Sequence, residues 1–417
     1  MSNSSLDLVR QYPIVRASTL AILFYGFAGA ATTPYQPLVG IRVIGLSDFT
    51  YSLIAFCAVI ANLVASIGIG LISDRVGRYR APMLVVTSLG ILGFGVVWLF
   101  PSSWIFALVT IGPIALFNVI STLLFANIRN HSNGMTPLEL GDSITIVRMA
   151  MSIAWILVPG LVGLILSGTG SPLTAYAFAT LLSLCCFISI VYMMPHDRKV
   201  SIESSSTKPS SLADLRRLAS PDVIARLIGT ALITSVLHLN AIALPLIVTG
   251  QGGGTIKDIG MVMGFVAALE AVLMLVWARI GRTTSQIRIF FVASLLYAIY
   301  LVWLAFLTTR WEIYAASAIG GIGAAAIVSQ PISYLLGIIH DRPGLSASLI
   351  AINMFIAGGI GTALFAIGTS FAGYGTVTIM GAIVGLAGVA VLAKVEHKRN
   401  RQSENALEQN IAGSLCR

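Results

Sequence analysis

Long apolar runs separated by short polar breaks make up nearly all of this sequence. Two of them, Tyr51–Ile72 and Ala81–Phe100, meet at a compact island of charge that runs from Gly70 to Arg80. Neither run has the length of an ordinary helix in a water-soluble protein, whereas about 20 consecutive apolar residues is what a bilayer demands of a spanning helix. The same pattern predicts spans over 17–39, 50–73, 82–100, 103–127, 142–167 and 173–195. It repeats over 223–250, 257–280, 286–307, 311–337, 345–371 and 373–394. The expected fold class is therefore all-α and membrane-embedded, with twelve transmembrane helices, six on each side of a polar centre.

This pattern divides the chain into an N-terminal bundle (1–195), a linker (196–222), a C-terminal bundle (223–395) and a tail (396–417). The linker carries the serine run Ser204–Ser206 among Lys199, Lys208, Arg216 and Arg217. Its polarity and that of the tail predict a surface segment and a disordered end. The first apolar run follows Arg10 and Arg16 and contains an Ala-Gly-Ala-Ala stretch, but it outlasts the apolar core of a signal peptide. An uncleaved first span is expected.

Composition agrees with lipid burial. Only 10% of the 417 residues are charged and 57% are hydrophobic, against roughly 25% charged in soluble domains. The net charge of +9 would suit nucleic acid, but the basic residues sit in short breaks and in the tail. With the N-terminus placed in the cytoplasm, nearly all of them fall on the cytoplasmic side, and only Arg42, Lys257 and Arg310 fall opposite. That asymmetry predicts cytoplasmic termini and a multi-pass protein of a bacterial inner membrane, with no nucleic-acid partner. Cys57, Cys185, Cys186 and Cys416 form no C-x-x-C pair, so neither a disulfide framework nor a metal site is expected, and no cofactor.

The charged island resembles the G-x-x-x-D-R-x-G-R-[KR] signature between helices 2 and 3 of major facilitator superfamily transporters. It matches at Gly70, Asp74, Arg75, Gly77 and Arg78 and departs at Tyr79, with Arg80 following. Physically, Gly70 would admit a neighbouring helix, Asp74 would cap a helix end or pair with a cation, and Gly77 would allow the reversal. Arg75-Val76-Gly77-Arg78 is echoed by Arg279-Ile280-Gly281-Arg282 at the end of the second span of the other half, although Ala278 stands where the acid would be. The echo favours two parallel six-helix repeats.

Ionisable groups inside a membrane are costly, which makes Arg148 in span 5 and Glu270 in span 8 candidates for function. Helices 5 and 8 face each other in the superfamily, so a cross-domain ion pair that forms or breaks during transport is expected of them, released when Glu270 takes a proton. The resemblance also implies that helices 1, 4, 7 and 10 line the central cavity. It thereby nominates Tyr25, Thr32, Thr33, Gln36, Asn118, His238, Asn240, Gln330 and Tyr334, with Asn62 and Asn353 as further candidates. Such groups suit hydroxyl-rich ligands, but equally serve as hydrogen-bonding glue between helices.

Further segments resemble the bacterial sugar efflux transporters of that superfamily. They are Gly26-Phe27-Ala28-Gly29-Ala30 with Thr33-Pro34, then Arg148 with Ser152-Ile153-Ala154-Trp155 and Pro159, then Met263-Gly264 with Ala268-Leu269-Glu270. The Asn-Pro usual in span 4 and the arginine usual in span 11 are absent. The resemblance implies a monomeric secondary transporter, not an enzyme, exchanging protons for a small-molecule substrate such as a sugar. Drug, amino-acid or siderophore transport, import included, and a solute sensor are the competing readings. A membrane enzyme would need clustered acids or metal ligands, and the loop 128–141 offers only Arg129, His131 and Glu139 without such spacing.

Overall fold

The computed structural model describes residues 5–132, 134–195, 220–338 and 343–415, all in helices and short connections. Most of the expected linker, and the side chain of Asp74, lie outside the described residues. A short helix, Ser5–Gln11, precedes twelve long apolar ones. These are α1 Pro13–Thr32, α2 Asp48–Val76, α3 Arg80–Leu99, α4 Ser103–Asn130, α5 Pro137–Thr169 and α6 Thr174–Met193. The second set comprises α7 Pro221–Val248, α8 Ile256–Ile280, α9 Gln286–Ala305, α10 Arg310–Leu336, α11 Pro343–Ala372 and α12 Tyr374–Leu415. All twelve expected spans are present. The tail expected to be disordered instead continues α12 as far as Leu415.

Local sequence explains the boundaries. Ser47 caps α2 by accepting from the Thr50 amide at 3.1 Å, and Gly77 ends it at φ +65°, where a side chain would be strained. Thr136 and Glu139 form a capping box at α5. The helix α1 stops at Thr32, and beyond Pro34 the chain resumes as a short helix (Gln36–Leu38) and a π-helical turn (Val39–Val43). The fourth span is likewise interrupted. A π-helical turn, Thr110–Ile114, holds Pro113, and the chain breaks again at Asn118 and Val119 before Ile120–Asn130. Pro159, Pro245 and Pro331 stay inside continuous helices.

Helices α1 to α6 pack among themselves, α1 against α5 and α6, and α3 against α6. The second six do the same, with α7 against α11 and α12, α9 against α10 and α12, and α8 against α10. The two groups meet through α5 with α8 and through α2 with α11.

The first junction depends on missing side chains. A Cβ on Gly260 would collide with the Pro159 carbonyl oxygen, and one on Gly163 would lie 3.0 Å from the Lys257 carbonyl oxygen. Tyr35 donates to that same Pro159 carbonyl at 3.1 Å. Nearby, Tyr374 of α12 donates to Asp48 of α2 at 3.1 Å, joining the groups a second time.

All these contacts lie toward one end of the bundle. At the opposite end, which carries the Gly70–Arg80 loop, a Cβ on Gly70 would find nothing within 4 Å. The close helix approach expected at Gly70 is therefore absent, because that face of α2 meets open space, whereas Ile69 packs on the core and Ser73 is buried. Gly281, the counterpart of Gly77, has φ −62°, so the sequence echo does not extend to the left-handed turn.

Gly260→Ala is expected to force α5 and α8 apart at the closed end. A cysteine placed at Ile259, buried in the parent structure, should then react with an impermeant thiol reagent added on the side away from the Gly70–Arg80 loop. Unchanged protection would show that the crossing does not seal that end.

Candidate functional site

Between the two groups lies a cavity of about 710 Å³. The region after α1 contributes Thr33, Gln36 and Pro37, and α2 contributes Tyr51 and Asn62. The broken fourth helix supplies Thr110, Ala115, Asn118 and Thr122. Across from these stand His238 of α7 and Met354, Phe355 and Thr362 of α11. Among the described residues that line it there is no Asp, Glu, Lys or Arg. The wall is apolar with scattered hydroxyl, amide and imidazole groups, the composition of a site for a neutral ligand that forms hydrogen bonds.

The helix breaks create this wall. Where α4 unwinds, Val119 N–H bonds the Leu116 carbonyl at 3.0 Å, so it does not serve Ala115. The Ala115 carbonyl is instead satisfied by Asn62 Nδ2 at 2.9 Å. Asn118 sits at the break, and its Oδ1 accepts from the Tyr25 hydroxyl at 3.4 Å. The Tyr25 ring packs on Phe117 with centroids 5.2 Å apart.

Of the residues nominated from sequence, Thr33, Gln36, Asn62, Asn118 and His238 come together here, with Tyr25 attached through Asn118. The others do not reach the lining. Two residues along a helix project to nearly opposite faces, so Asn240 turns away from His238 and accepts from Tyr300 of α9 at 3.1 Å. Asn353 is buried and donates to Thr234 of α7 at 3.3 Å. Gln330 is buried near Gly281, and Tyr334 donates to Glu396 at 2.8 Å. In this structure α10 adds nothing to the cavity, because its Gly320 and Gly323 pack closely on α9 at Tyr300 and Tyr297. Thr110, Thr122 and Thr362 line the cavity without having been singled out from sequence, since one threonine in an apolar run gives no signal of the face it occupies.

Arg148 and Glu270 form no ion pair here. The Arg148 guanidinium lies 5.7 Å from the centre of the Phe125 ring, three residues beyond cavity-lining Thr122 and on the same helix face. Glu270 is within electrostatic reach of Tyr297, whose ring lies 5.2 Å from that of Tyr300. The two helices touch where Gly163 meets Gly260 and where Gly264 meets the Ile156 carbonyl, and both charged residues lie beyond these contacts, toward the end that carries the Gly70–Arg80 loop. In the charged loop, Arg75 and Arg78 are exposed, and Arg80 binds the Val191 carbonyl at the end of α6.

One charged cluster escaped the sequence reading. Asp258, fully buried at the start of α8, accepts from Arg310 Nε at 2.9 Å and Nη2 at 2.7 Å. It also accepts from Tyr314 at 2.6 Å, and from the Thr255 amide and hydroxyl at 2.7 Å each. The readable signal was Thr255-x-x-Asp258, a capping pattern just before an apolar run.

Comparison with known proteins gives a consistent result. The family model described as Major Facilitator Superfamily matches residues 18–366. A Deinococcus radiodurans relative named "Putative sugar efflux transporter" is 21% identical over 263 residues, 62% of this chain. The chain spans just under two thirds of that relative's length, 66%. Among solved structures, the nucleoside transporter NupG superposes with a TM-score of 0.76 at 11% identity, covering 91% of this chain and 99% of that one. A POT family transporter in complex with a thioalcohol-conjugated peptide gives 0.75 at 11% identity, over 92% and 96%. At these identities the structural likeness concerns the fold alone.

Proposed function

Since this chain belongs to the Major Facilitator Superfamily of membrane transporters, we propose that it exports sugars or related small polar solutes in exchange for protons, by alternating access. The observation that carries this reading is the cavity between the two helix groups, lined by Thr33, Gln36, Asn62, Asn118 and His238 and free of acidic or basic side chains among its lining residues. Amino acids and siderophores bring charges that are costly to bury without counter-charges. Neutral hydroxyl-rich solutes do not. The name of the Deinococcus radiodurans relative points the same way.

In this reading the Gly70–Arg80 end faces the cytoplasm of a bacterial inner membrane, with both termini on the same side, which its basic residues support. The structure is then an inward-open state, sealed outside by the α5–α8 crossing and the Asp48–Tyr374 bond. The two groups act as N- and C-terminal bundles of one monomer that rock about the cavity, and no catalytic step is involved.

Rocking to the outward-open state would draw the inner ends of α5 and α8 together. Arg148 would then leave Phe125 and meet Glu270. Protonating Glu270 removes the attraction and lets the inner end reopen. Gly70, Asp74, Arg75, Gly77 and Arg78 would serve as the inner gate, with Gly70 admitting a helix only in that closed state.

Counterflow in proteoliposomes tests the substrate class. Vesicles preloaded with unlabelled sugar should transiently accumulate the matching labelled sugar. Failure across a panel of monosaccharides and glycosides would remove the sugar reading.

A further inference from the structure

The cavity wall offers two amides whose orientations are already committed by protein partners. Both hydrogens of an asparagine amide lie on Nδ2, and both acceptor lone pairs lie on Oδ1. Asn62 spends its Nδ2 on the Ala115 carbonyl at 2.9 Å, a group that the break in the fourth helix has left without its helical donor. The exchange fixes the amide plane and leaves Oδ1 as the group presented to the cavity. Asn118 is held the other way round. Its Oδ1 accepts from Tyr25 at 3.4 Å, and the tyrosine ring is itself seated on Phe117, so Nδ2 is what Asn118 presents. Asn62, Ala115 and Asn118 all line the same cavity, and residues 115 and 118 lie three apart in the chain. One wall therefore displays an acceptor and a donor side by side, with no charge.

We propose that Asn62 and Asn118 form a fixed acceptor–donor pair that reads one vicinal diol of a neutral substrate, with Tyr25 the positioning residue that holds the Asn118 amide. One hydroxyl of the diol donates to Asn62 Oδ1 and its neighbour accepts from Asn118 Nδ2. This assignment rests on the transport reading above and sharpens it, since it favours solutes that offer one donor and one acceptor at adjacent positions. Free sugars and the ribose of a nucleoside share the diol, and the two sources are separated by experiment.

The test is binding and uptake of labelled monosaccharides and ribonucleosides by the full chain in proteoliposomes, each compared with its singly deoxygenated analogues. For the parent protein, removing either hydroxyl of one adjacent pair should weaken binding about ten-fold, the loss of one neutral hydrogen bond, and removal elsewhere should matter less. In Asn118→Ala the penalty should vanish for one hydroxyl of that pair and persist for the other. Tyr25→Phe should raise the half-saturation concentration about three-fold, more than it lowers the maximal rate, and should shrink the same penalty. A merely structural tyrosine would leave that penalty alone. Asn62 is probed from the ligand side, because replacing it would strand the Ala115 carbonyl. A deoxy penalty identical in parent and Asn118→Ala would overturn the assignment while leaving sugar transport in place. If neither monosaccharides nor ribonucleosides bind the parent protein, the assignment falls together with the functional reading.

Discussion

Glu270→Gln is expected to exchange labelled substrate across the membrane but to lose all response to a pH gradient. Exchange needs only that the loaded carrier reorients, whereas net movement against a gradient needs a group that carries the proton back. Glutamine preserves the shape and hydrogen-bonding capacity of the side chain and removes the proton site. For an antiporter, substrate accumulates in the more acidic compartment, because the proton leaves that compartment as substrate enters. A symporter would accumulate it in the more alkaline one. One pH unit is worth about 1.4 kcal/mol per proton, so the parent protein should sustain up to roughly ten-fold accumulation per proton exchanged. The variant should sustain none. Accumulation by Glu270→Gln equal to that of the parent would remove the coupling role, and accumulation on the alkaline side would reverse the direction of exchange. Arg148→Gln offers a complementary reading: it keeps the proton site but removes the partner, so it should alter the balance of inward- and outward-open states.

The second large effect concerns stability. Asp258→Ala should lower the unfolding free energy by about 2–4 kcal/mol, read as an earlier thermal or denaturant transition of the detergent-solubilised protein. The carboxylate collects every donor of Arg310, Tyr314 and Thr255 described above and is fully buried. Its removal strands Tyr314 and the first turn of α8 together. The estimate stays below what a wholly buried pair would give because the Arg310 side chain is 54% exposed and regains water. For the same reason Arg310→Ala should cost less than Asp258→Ala, and Asp258→Asn should fall between. An equal loss from Arg310→Ala would mean that the ion pair, and not the capping and tyrosine bonds, dominates. The cluster also sits two residues before Gly260, so its loss should loosen the sealed end of the bundle, and this can be read with the same Ile259 cysteine reporter.

The number and placement of the membrane helices were legible in the sequence because lipid burial acts on composition alone. A run of apolar residues long enough to cross hydrocarbon has few alternatives, whatever it packs against. The reversal at Gly77 was legible for a similarly local reason, the left-handed backbone that ends α2. Arg148 and Glu270 stood out because charge inside an apolar run is conspicuous without any knowledge of its neighbours.

Only the folded arrangement decided which polar groups meet. Span 4 reads as a single helix, yet it breaks at Asn118, and the break both exposes that amide and frees the carbonyl that orients Asn62. His238 and Asn240 are two residues apart and indistinguishable as polar groups in an apolar run, yet one lines the cavity and the other binds Tyr300. Asn353 is likewise taken up by a neighbouring helix, and Gln330 is buried away from the cavity. A helix uniformly apolar around its circumference carries no stripe to show which face meets protein and which meets lipid or cavity. Those choices are made by contacts between helices far apart in the chain, such as Tyr35 on Pro159 and Gly163 against Gly260. Hydropathy determined that this chain lives in a bilayer; the pairing of its helices determined where a cavity opens between them and which few polar groups reach its wall.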